Sequence, residues 1–239
     1  VHIGYQAGYS FTTSNGDNTV VIGYSALSRA DASNNMAIGY LAGYNNTTGA
    51  NNMFVGNQTG YASGVNTTGS YNTALGHYSL AGATSGSQNT VVGYNALSAT
   101  TTGGWNTAVG VNALLNNTTG SDNTAVGVQA LNANTTASNN TAVGYQAAYT
   151  ANGSGYITAV GYKAGYSLTS GAENVFVGWQ TGFATTSGNN NVAMGDSALQ
   201  SNQTGGNNVA IGQNSLQNTT TSSNNNCVRS RSSYRCSAG

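Results

Sequence analysis

The sequence predicts an all-β fold, a parallel β-solenoid or β-roll of about thirteen coils, each seventeen residues long. The residues just before a recurring glycine are apolar or β-branched, which is typical of a short strand bounded by turns. No stretch has the spacing of an amphipathic helix. A short fixed period of this kind is the signature of stacked repeats. The strictly spaced glycines, each preceded by an aliphatic residue or Met, are Gly76, Gly93, Gly110, Gly127, Gly144, Gly161, Gly178, Gly195 and Gly212.

The repeat array is predicted to span residues 1–228. Upstream of Gly76 it continues at Gly56, Gly39, Gly23 and Gly4, with steps of 20, 17, 16 and 19 residues. The array ends where Arg229 occupies the glycine position. Residues 229–239 form a basic, Cys-containing tail, for which the sequence leaves three interpretations open: a cap, a junction to another module, or a disordered end.

Positions within one repeat can be counted from the repeat glycine, taken as position 0. The constant aliphatic residue at −1 predicts a buried core position. Position −2 is usually Ala but tolerates Phe54 and Phe176, so we expect it to face outward or toward a partner. Asn at −4 predicts an amide ladder between stacked coils. A second glycine, at −7 in most copies, predicts a turn.

Positions +4 and +5 follow a substitution rule within the chain. Copies with Leu at +4, such as Leu97, have no aromatic residue at +5, whereas copies with Gly or Ala at +4 have one, such as Tyr166 after Gly165. The sequence therefore predicts one buried volume, filled either by Leu or by the following ring. Because a single repeat cannot bury its own apolar face, stacking of coils and lateral association into a trimer are expected.

Composition argues against several classes of function. Only 4% of the residues are charged, the formal net charge is zero and there is no proline. Binding of nucleic acid through phosphate neutralisation is therefore not expected. Apolar runs never exceed a few residues, so insertion into a membrane is not expected either. The acids and the two histidines, His2 and His77, are too scattered for acid–base, metal or cofactor chemistry, so the chain is predicted not to be an enzyme.

Three features suggested chemistry at particular residues. Cys227 and Cys236 bracket the basic tail and fit either a disulfide in an oxidising compartment or two free thiols. Tyr recurs at +1, as at Tyr24 and Tyr145, and would either stack on sugar rings or, as favoured here, pack between coils or chains. Asn-x-Thr acceptors predict N-glycosylation on one loop edge. The acceptors that share position −10 are Asn46, Asn66, Asn117, Asn134 and Asn202.

The string Asn-Thr-Ala-Val-Gly-Tyr-Gln-Ala at 140–147, echoed at 123–130 and 106–113, resembles the head repeats of trimeric autotransporter adhesins. It is equally similar to the β-solenoid repeats of phage and viral tail-fibre proteins. The resemblance implies parallel β-coils, three chains to a fibre, and display outside a cell or virion.

The sequence therefore predicts an extracellular structural fibre at a cell or virion surface, serving as a rigid shaft or adhesin-like filament. Its expected partners are copies of itself, with glycans or a cell-surface receptor as further candidates. One alternative is a glycosylated filament that assembles head to tail. Another is an ice-binding solenoid, which would need a flat array of regularly spaced Thr.

Overall fold

A computed structural model shows the chain as an all-β parallel β-solenoid of about 13 coils, which confirms the predicted fold class. The structure describes residues 1–10, 18–230 and 233–237, with side chains as far as residue 228. The chain forms two compact units, Val1–Asp122 and Asn123–Gly239. The strands are β1 (His2–Ile3), β2 (Val20–Ile22), β3 (Met36–Ile38), β4 (Met53–Val55), β5 (Thr73–Leu75), β6 (Thr90–Val92), β7 (Thr107–Val109), β8 (Thr124–Val126), β9 (Thr141–Val143), β10 (Thr158–Val160), β11 (Val175–Val177), β12 (Val192–Met194), β13 (Val209–Ile211), β14 (Asn226–Ser230) and β15 (Ser233–Ser237).

In the first unit, β1 to β7 pair consecutively and in parallel, one strand per coil. The register stays aligned on the repeat glycine even where the interval departs from seventeen, as for Val20 with Met36 and Met53 with Thr73. The coil from Gly56 to Gly76 accommodates its extra residues in an exposed loop at 63–66, and Thr67 returns to pair with Asn46. Length variation is therefore absorbed in loops, away from the strands.

In the second unit, β8 to β13 continue the parallel pairing, and β14 joins them in the same register. β15 then folds back antiparallel against β14. β14 crosses the boundary predicted at residue 229: its parallel pairing with β13 ends at Val228, and Arg229 and Ser230 pair antiparallel with β15. Arg231 lies outside the described residues.

The side chains of the strands point in the opposite directions from those predicted from the sequence. The −2 residue is buried, as in Ala108 and Phe176 at 0% exposure, whereas the −1 residue lies on the outside, as in Val92 at 38% and Met194 at 43%. Successive side chains of a strand point to opposite faces, so −3 and −1 share the outer face. The prediction of a buried −1 position was wrong because the coil interior is narrow and selects the small residue.

The repeat glycine is required both by its backbone conformation and by close packing between coils. Gly161 has a φ of +134°, a region that L side chains rarely adopt. A Cβ on Gly161 would lie 2.3 Å from the carbonyl oxygen of Gly178 in the next coil. The same arrangement recurs in the first unit, where a Cβ on Gly39 would meet the Gly56 oxygen. The reason predicted for this glycine is thus confirmed.

The glycine at −7 has a different role from the predicted turn. Gly103 and Gly188 have no left-handed φ, but a Cβ on either would lie 2.4 Å from the carbonyl oxygen of the equivalent glycine in the next coil. That oxygen also accepts a hydrogen bond from a −4 Asn, as when Asn191 Nδ2 donates to the Gly205 oxygen at 3.0 Å. Glycine at −7 therefore permits close backbone stacking.

The −4 asparagines form the predicted ladder inside the coils. Asn191 Nδ2 donates to Asn174 Oδ1 at 3.0 Å, and Asn191 Oδ1 accepts from the Asn208 backbone N–H at 3.1 Å. In the first unit the same pattern links Asn72 with Asn89. Ile157 takes the ladder position in one coil, and the buried Nδ2 of Asn140 before it has no hydrogen-bond partner. Each ladder residue thus satisfies backbone groups of its neighbours, and Asn140 Oδ1 still accepts a hydrogen bond from the Ile157 backbone N–H at 3.0 Å.

The exchange at +4 and +5 has a different physical basis from the one predicted. Leu97 and Leu114 are fully buried at +4, but the +5 rings are half-buried and lie outside the coil interior. In four coils with Gly at +4, a Phe at −2 fills the volume; it belongs to the same coil at Gly60 and Gly182 and to the next coil at Gly43 and Gly165. A Cβ on Gly182 would lie 2.5 Å from Phe176 Cε1, and one on Gly60 would lie 2.5 Å from Phe54 Cε1. Glycine at +4 therefore makes room for an inward-facing Phe.

Candidate functional site

The most prominent candidate surface is the outer face of the sheet, formed by the −3, −1 and +1 columns. In the first unit it carries Ile3, Tyr24, Tyr40, Met53 and Tyr94, all exposed by more than a third. In the second it carries Val128, Tyr145, Tyr162, Trp179 and Met194, exposed to a similar extent. Among the described side chains of these columns, His77 and Asp196 are the only ionisable ones besides tyrosine. The −3 residues of β5 to β10 are all threonines, so each unit exposes a face that is nearly uncharged and only partly apolar.

The +1 tyrosines on this face stack on one another between coils. Ring centroids are 5.2 Å apart for Tyr5 and Tyr24, and 5.4 Å apart for Tyr145 and Tyr162. Trp179 extends the second stack, 6.1 Å from Tyr162 with an interplanar angle of 8°. Because most ring faces are covered by neighbouring rings, the structure supports the packing interpretation of this column. A sugar would meet mainly ring edges here.

The +5 column forms a second stack beside the first. In the second unit, Tyr149, Tyr166 and Phe183 lie 5.2 and 5.1 Å apart with interplanar angles of 5° and 10°. The Lys163 ammonium lies 5.4 Å from the ring centroids of both Tyr162 and Tyr166, and so joins the two columns by cation–π contacts. These aromatic side chains hold adjacent coils together on the outside, where the narrow interior has no room for them.

The predicted glycosylation edge is mostly inside the coil. Four of the five acceptors at −10 are fully buried, and each donates its Nδ2 hydrogen to a backbone oxygen three residues later, at 2.8 Å for Asn46 and 2.9 Å for Asn202. A glycan on such a nitrogen would displace the coil's own packing. The exposure expected of a glycosylation edge is therefore absent at four acceptors, whose glycosylation stays a prediction: Asn46, Asn117, Asn134 and Asn202.

Asn66 is the exception among the predicted acceptors. It is exposed because it lies in the inserted loop at 63–66, and Thr67 takes the buried position in its place. Other exposed Asn-x-Thr acceptors are Asn57, Asn139 and Asn218. Glycosylation of these residues stays a prediction.

The two cysteines lie opposite each other in the terminal strand pair. Cys227 fills the inward −2 position of β14 at 1% exposure and is disulfide-bonded. Its Cα partner across the antiparallel β14–β15 pair is Cys236, whose side chain lies outside the described ones.

The structure brings no catalytic group together among the described residues. Their His, Cys, Asp and Glu side chains include no group of three or more that could hold a metal ion. Burial, followed by the neighbouring N-terminal charge, lowers the pKa of His2. His77 stacks on Tyr78 at 4.2 Å, and Asp196 accepts a hydrogen bond from the Ser197 hydroxyl at 2.7 Å. The absence of enzymatic activity stays a prediction.

The described part of the chain contains no helix that is long and apolar enough to cross a membrane. No protein-family profile, curated protein or solved structure matches the chain. The structure thus supports the repeat fold implied by the adhesin and tail-fibre resemblance, and the family itself stays a prediction.

Proposed function

We propose that the chain is a non-catalytic structural fibre protein that associates laterally with copies of itself through the outer face, outside the cell or on a virion. The observation that carries this proposal is the nearly uncharged outer face, which each unit leaves partly exposed: its −1 column is aliphatic or Met, and it is flanked by aliphatic, Met or Thr residues at −3 and mostly aromatic residues at +1. Contiguous exposed apolar side chains of this kind mark an interaction site in soluble proteins. A second copy is the fitting occupant, because its outer face has the same coil spacing, the same −1 column and almost no charge.

The strand pairing at the β15 end of the array favours lateral association over head-to-tail stacking. β15 runs antiparallel along β14, so the next strand there is not another parallel coil. An antiparallel hairpin of this kind ends the parallel register and covers one sheet edge. The proposed arrangement is a bundle of chains side by side, specifically a trimer in which each chain turns its outer face inward.

The test is the mass of the assembly in solution. Sedimentation velocity should give three times the 24.1 kDa of a single chain. Replacing two outward valines, Val143→Lys and Val160→Lys, places like charges in the contact and should shift the mass to 24.1 kDa with an unchanged circular dichroism spectrum.

The matched control carries the same added charge on exposed loop residues, Thr136→Lys and Ser170→Lys, and should keep the wild-type mass. A monomeric wild-type chain would contradict self-association. A Val143/Val160 variant that keeps the wild-type mass would contradict the assignment of the contact to the outer face. Electron microscopy of the same samples separates a closed bundle from a continuous filament.

A further inference from the structure

Position −5 is left-handed throughout the described array, with φ between 55° and 63° from the fifth strand onward in residues as different as Trp105 and Asn139. Most coils place Asn or Asp there, the side chains that best tolerate this region. The exceptions are Gln88, Glu173 and three aromatic residues, Tyr71, Trp105 and Tyr156. A bulky aromatic residue in this conformation costs backbone energy that Asn would not.

Burial does not compensate for that cost. Tyr71, Trp105 and Tyr156 are exposed by 62%, 61% and 66%. Unlike the stacked rings at +1 and +5, none of the three stacks on another ring in the part of the chain that the structure describes. Backbone strain at an exposed side chain that gains no packing is a feature of functional sites. These rings offer open faces to a ligand.

In the first unit, two of these rings lie in one column with a polar side chain between them. The Gln88 backbone N–H donates to the Ser70 oxygen at 2.9 Å, and the Trp105 N–H donates to the Ser87 oxygen at 3.0 Å, so Tyr71, Gln88 and Trp105 occupy consecutive coils. Two coils correspond to about 9.6 Å from the spacing of hydrogen-bonded strands. That distance is comparable to one disaccharide of an extended β-1,4-linked glycan, in which every second pyranose ring presents the same face.

We propose that Tyr71, Gln88 and Trp105 form a binding site for an extended, neutral β-1,4-linked glycan lying along the column. The two rings pack on the C–H faces of alternate sugars, and the exposed Gln88 amide donates to and accepts from hydroxyl groups of the sugar between them. Asp122 is the exposed −5 residue of the next coil, where it can accept a further hydroxyl hydrogen. This site goes beyond self-association and flanks the outer face.

The test uses isothermal titration of the full chain with β-1,4-linked hexaoses of glucose, N-acetylglucosamine and mannose. At least one should bind saturably, and maltohexaose, which is α-linked and curved, should bind more weakly. Trp105→Asn and Tyr71→Asn should each weaken binding roughly tenfold or more, because each removes one of two aromatic platforms. Tyr156→Asn is the matched control. In the −5 column Tyr156 lies between Asn139 and Glu173 and has no second ring two coils away, so this variant should bind the glycan as tightly as the wild type.

Stability and mass separate this role from others. Asn is the residue that the repeat itself uses at −5, so the Asn variants should unfold at the wild-type temperature or above it. A lower unfolding temperature would indicate a structural role and overturn the proposal. It would also be overturned if no β-1,4 hexaose bound, if Tyr156→Asn weakened binding as much as Trp105→Asn, or if Trp105→Asn changed the sedimentation mass. Failure of self-association alone leaves the glycan result unaffected, so the two proposals fail separately.

Discussion

At the scale of single residues, the solenoid depends on the repeat glycine, which has no Cβ. The repeat glycine packs its Cα hydrogens against the backbone of the next coil, and the coils cannot separate locally because each strand is hydrogen-bonded on both sides. The Gly161 backbone N–H, for example, donates to the Val143 oxygen at 2.8 Å, and the Gly178 N–H donates to the Val160 oxygen at the same distance. A methyl group at position 0 therefore meets backbone atoms that cannot move away cheaply.

Gly161→Ala should accordingly destabilise the fold. The added Cβ lies 2.3 Å from the Gly178 oxygen, and the φ of +134° is itself unfavourable for alanine. We expect a loss of about 3 kcal/mol in the free energy of unfolding, as strain and steric overlap act together. Urea titration followed by circular dichroism measures this loss.

A matched substitution in the same coil isolates the effect. Gly155 has no left-handed φ, and a Cβ there would lie 3.4 Å from its nearest neighbour, the Ser138 oxygen. Gly155→Ala should be neutral or stabilise the chain by about 0.5 kcal/mol, because alanine restricts the unfolded state. Equal losses at the two positions would show that glycine is needed for flexibility in general and not for close approach.

At the scale of one coil, the interior accepts either of two side-chain sets for the same volume. Ala108 at −2 is accompanied by the buried Leu114 at +4, whereas Phe176 at −2 is accompanied by Gly182 at +4. The Phe ring enters from the strand and the Leu from the opposite wall. The left-handed +4 backbone serves both sets, with φ of 49° at Leu114 and 60° at Gly182.

This exchange predicts strong coupling between Phe176 and Gly182. Phe176→Ala should cost about 3–5 kcal/mol through the cavity it leaves, and Gly182→Leu should cost about 1–3 kcal/mol through overpacking. The double variant recreates the Ala108–Leu114 arrangement, so its loss should be smaller than the sum by about 1–3 kcal/mol. A double-mutant cycle from urea midpoints measures the coupling. Additive losses would mean that the two side chains do not share one volume.

Some features of a coil could be predicted from the sequence and others could not. The period, the repeat glycine and the Asn191-type ladder could be predicted, because each reflects contacts between identical positions in stacked coils. The direction of the strand side chains could not, because a three-residue strand with Ala between two β-branched residues is compatible with either facing. A narrow interior selects Ala108, and Val109 lies on the outer face.

The acceptor asparagines were misplaced for a related reason. An Asn-x-Thr sequence does not reveal whether its amide faces solvent or the coil. At Asn202 the Nδ2 hydrogen is used to satisfy the Gly205 oxygen, a backbone group that would otherwise be buried without a donor. Only the insertion that displaces Asn66 frees such an amide, and that insertion is visible in the sequence as the interval of twenty residues from Gly56 to Gly76.

At the scale of the whole molecule, stability should be a sum over neighbouring coils. The effect of a deletion should therefore depend on whether the remaining residues keep the seventeen-residue period. Within each unit, every described strand pairs only with its neighbours in sequence, as β12 does with β11 and β13. In such arrays, removing one complete repeat costs one repeat and one interface. Removing part of a repeat leaves residues that fit no position.

Deleting residues 192–208, one complete period, should therefore do less harm than deleting the eight residues 192–199. The longer deletion joins Asn191 to Val209, which is the register partner of Val192, and lets Asn191 take the ladder position of Asn208. The shorter deletion removes β12 together with the buried Ala198 and Leu199. It leaves residues 200–208 without a complete coil, so they must form an oversized loop. Thermal unfolding by circular dichroism should show a drop of a few degrees for the first variant and a larger drop for the second. Since the variant that has lost more residues should be the more stable, the opposite order would contradict nearest-neighbour stacking as the source of stability.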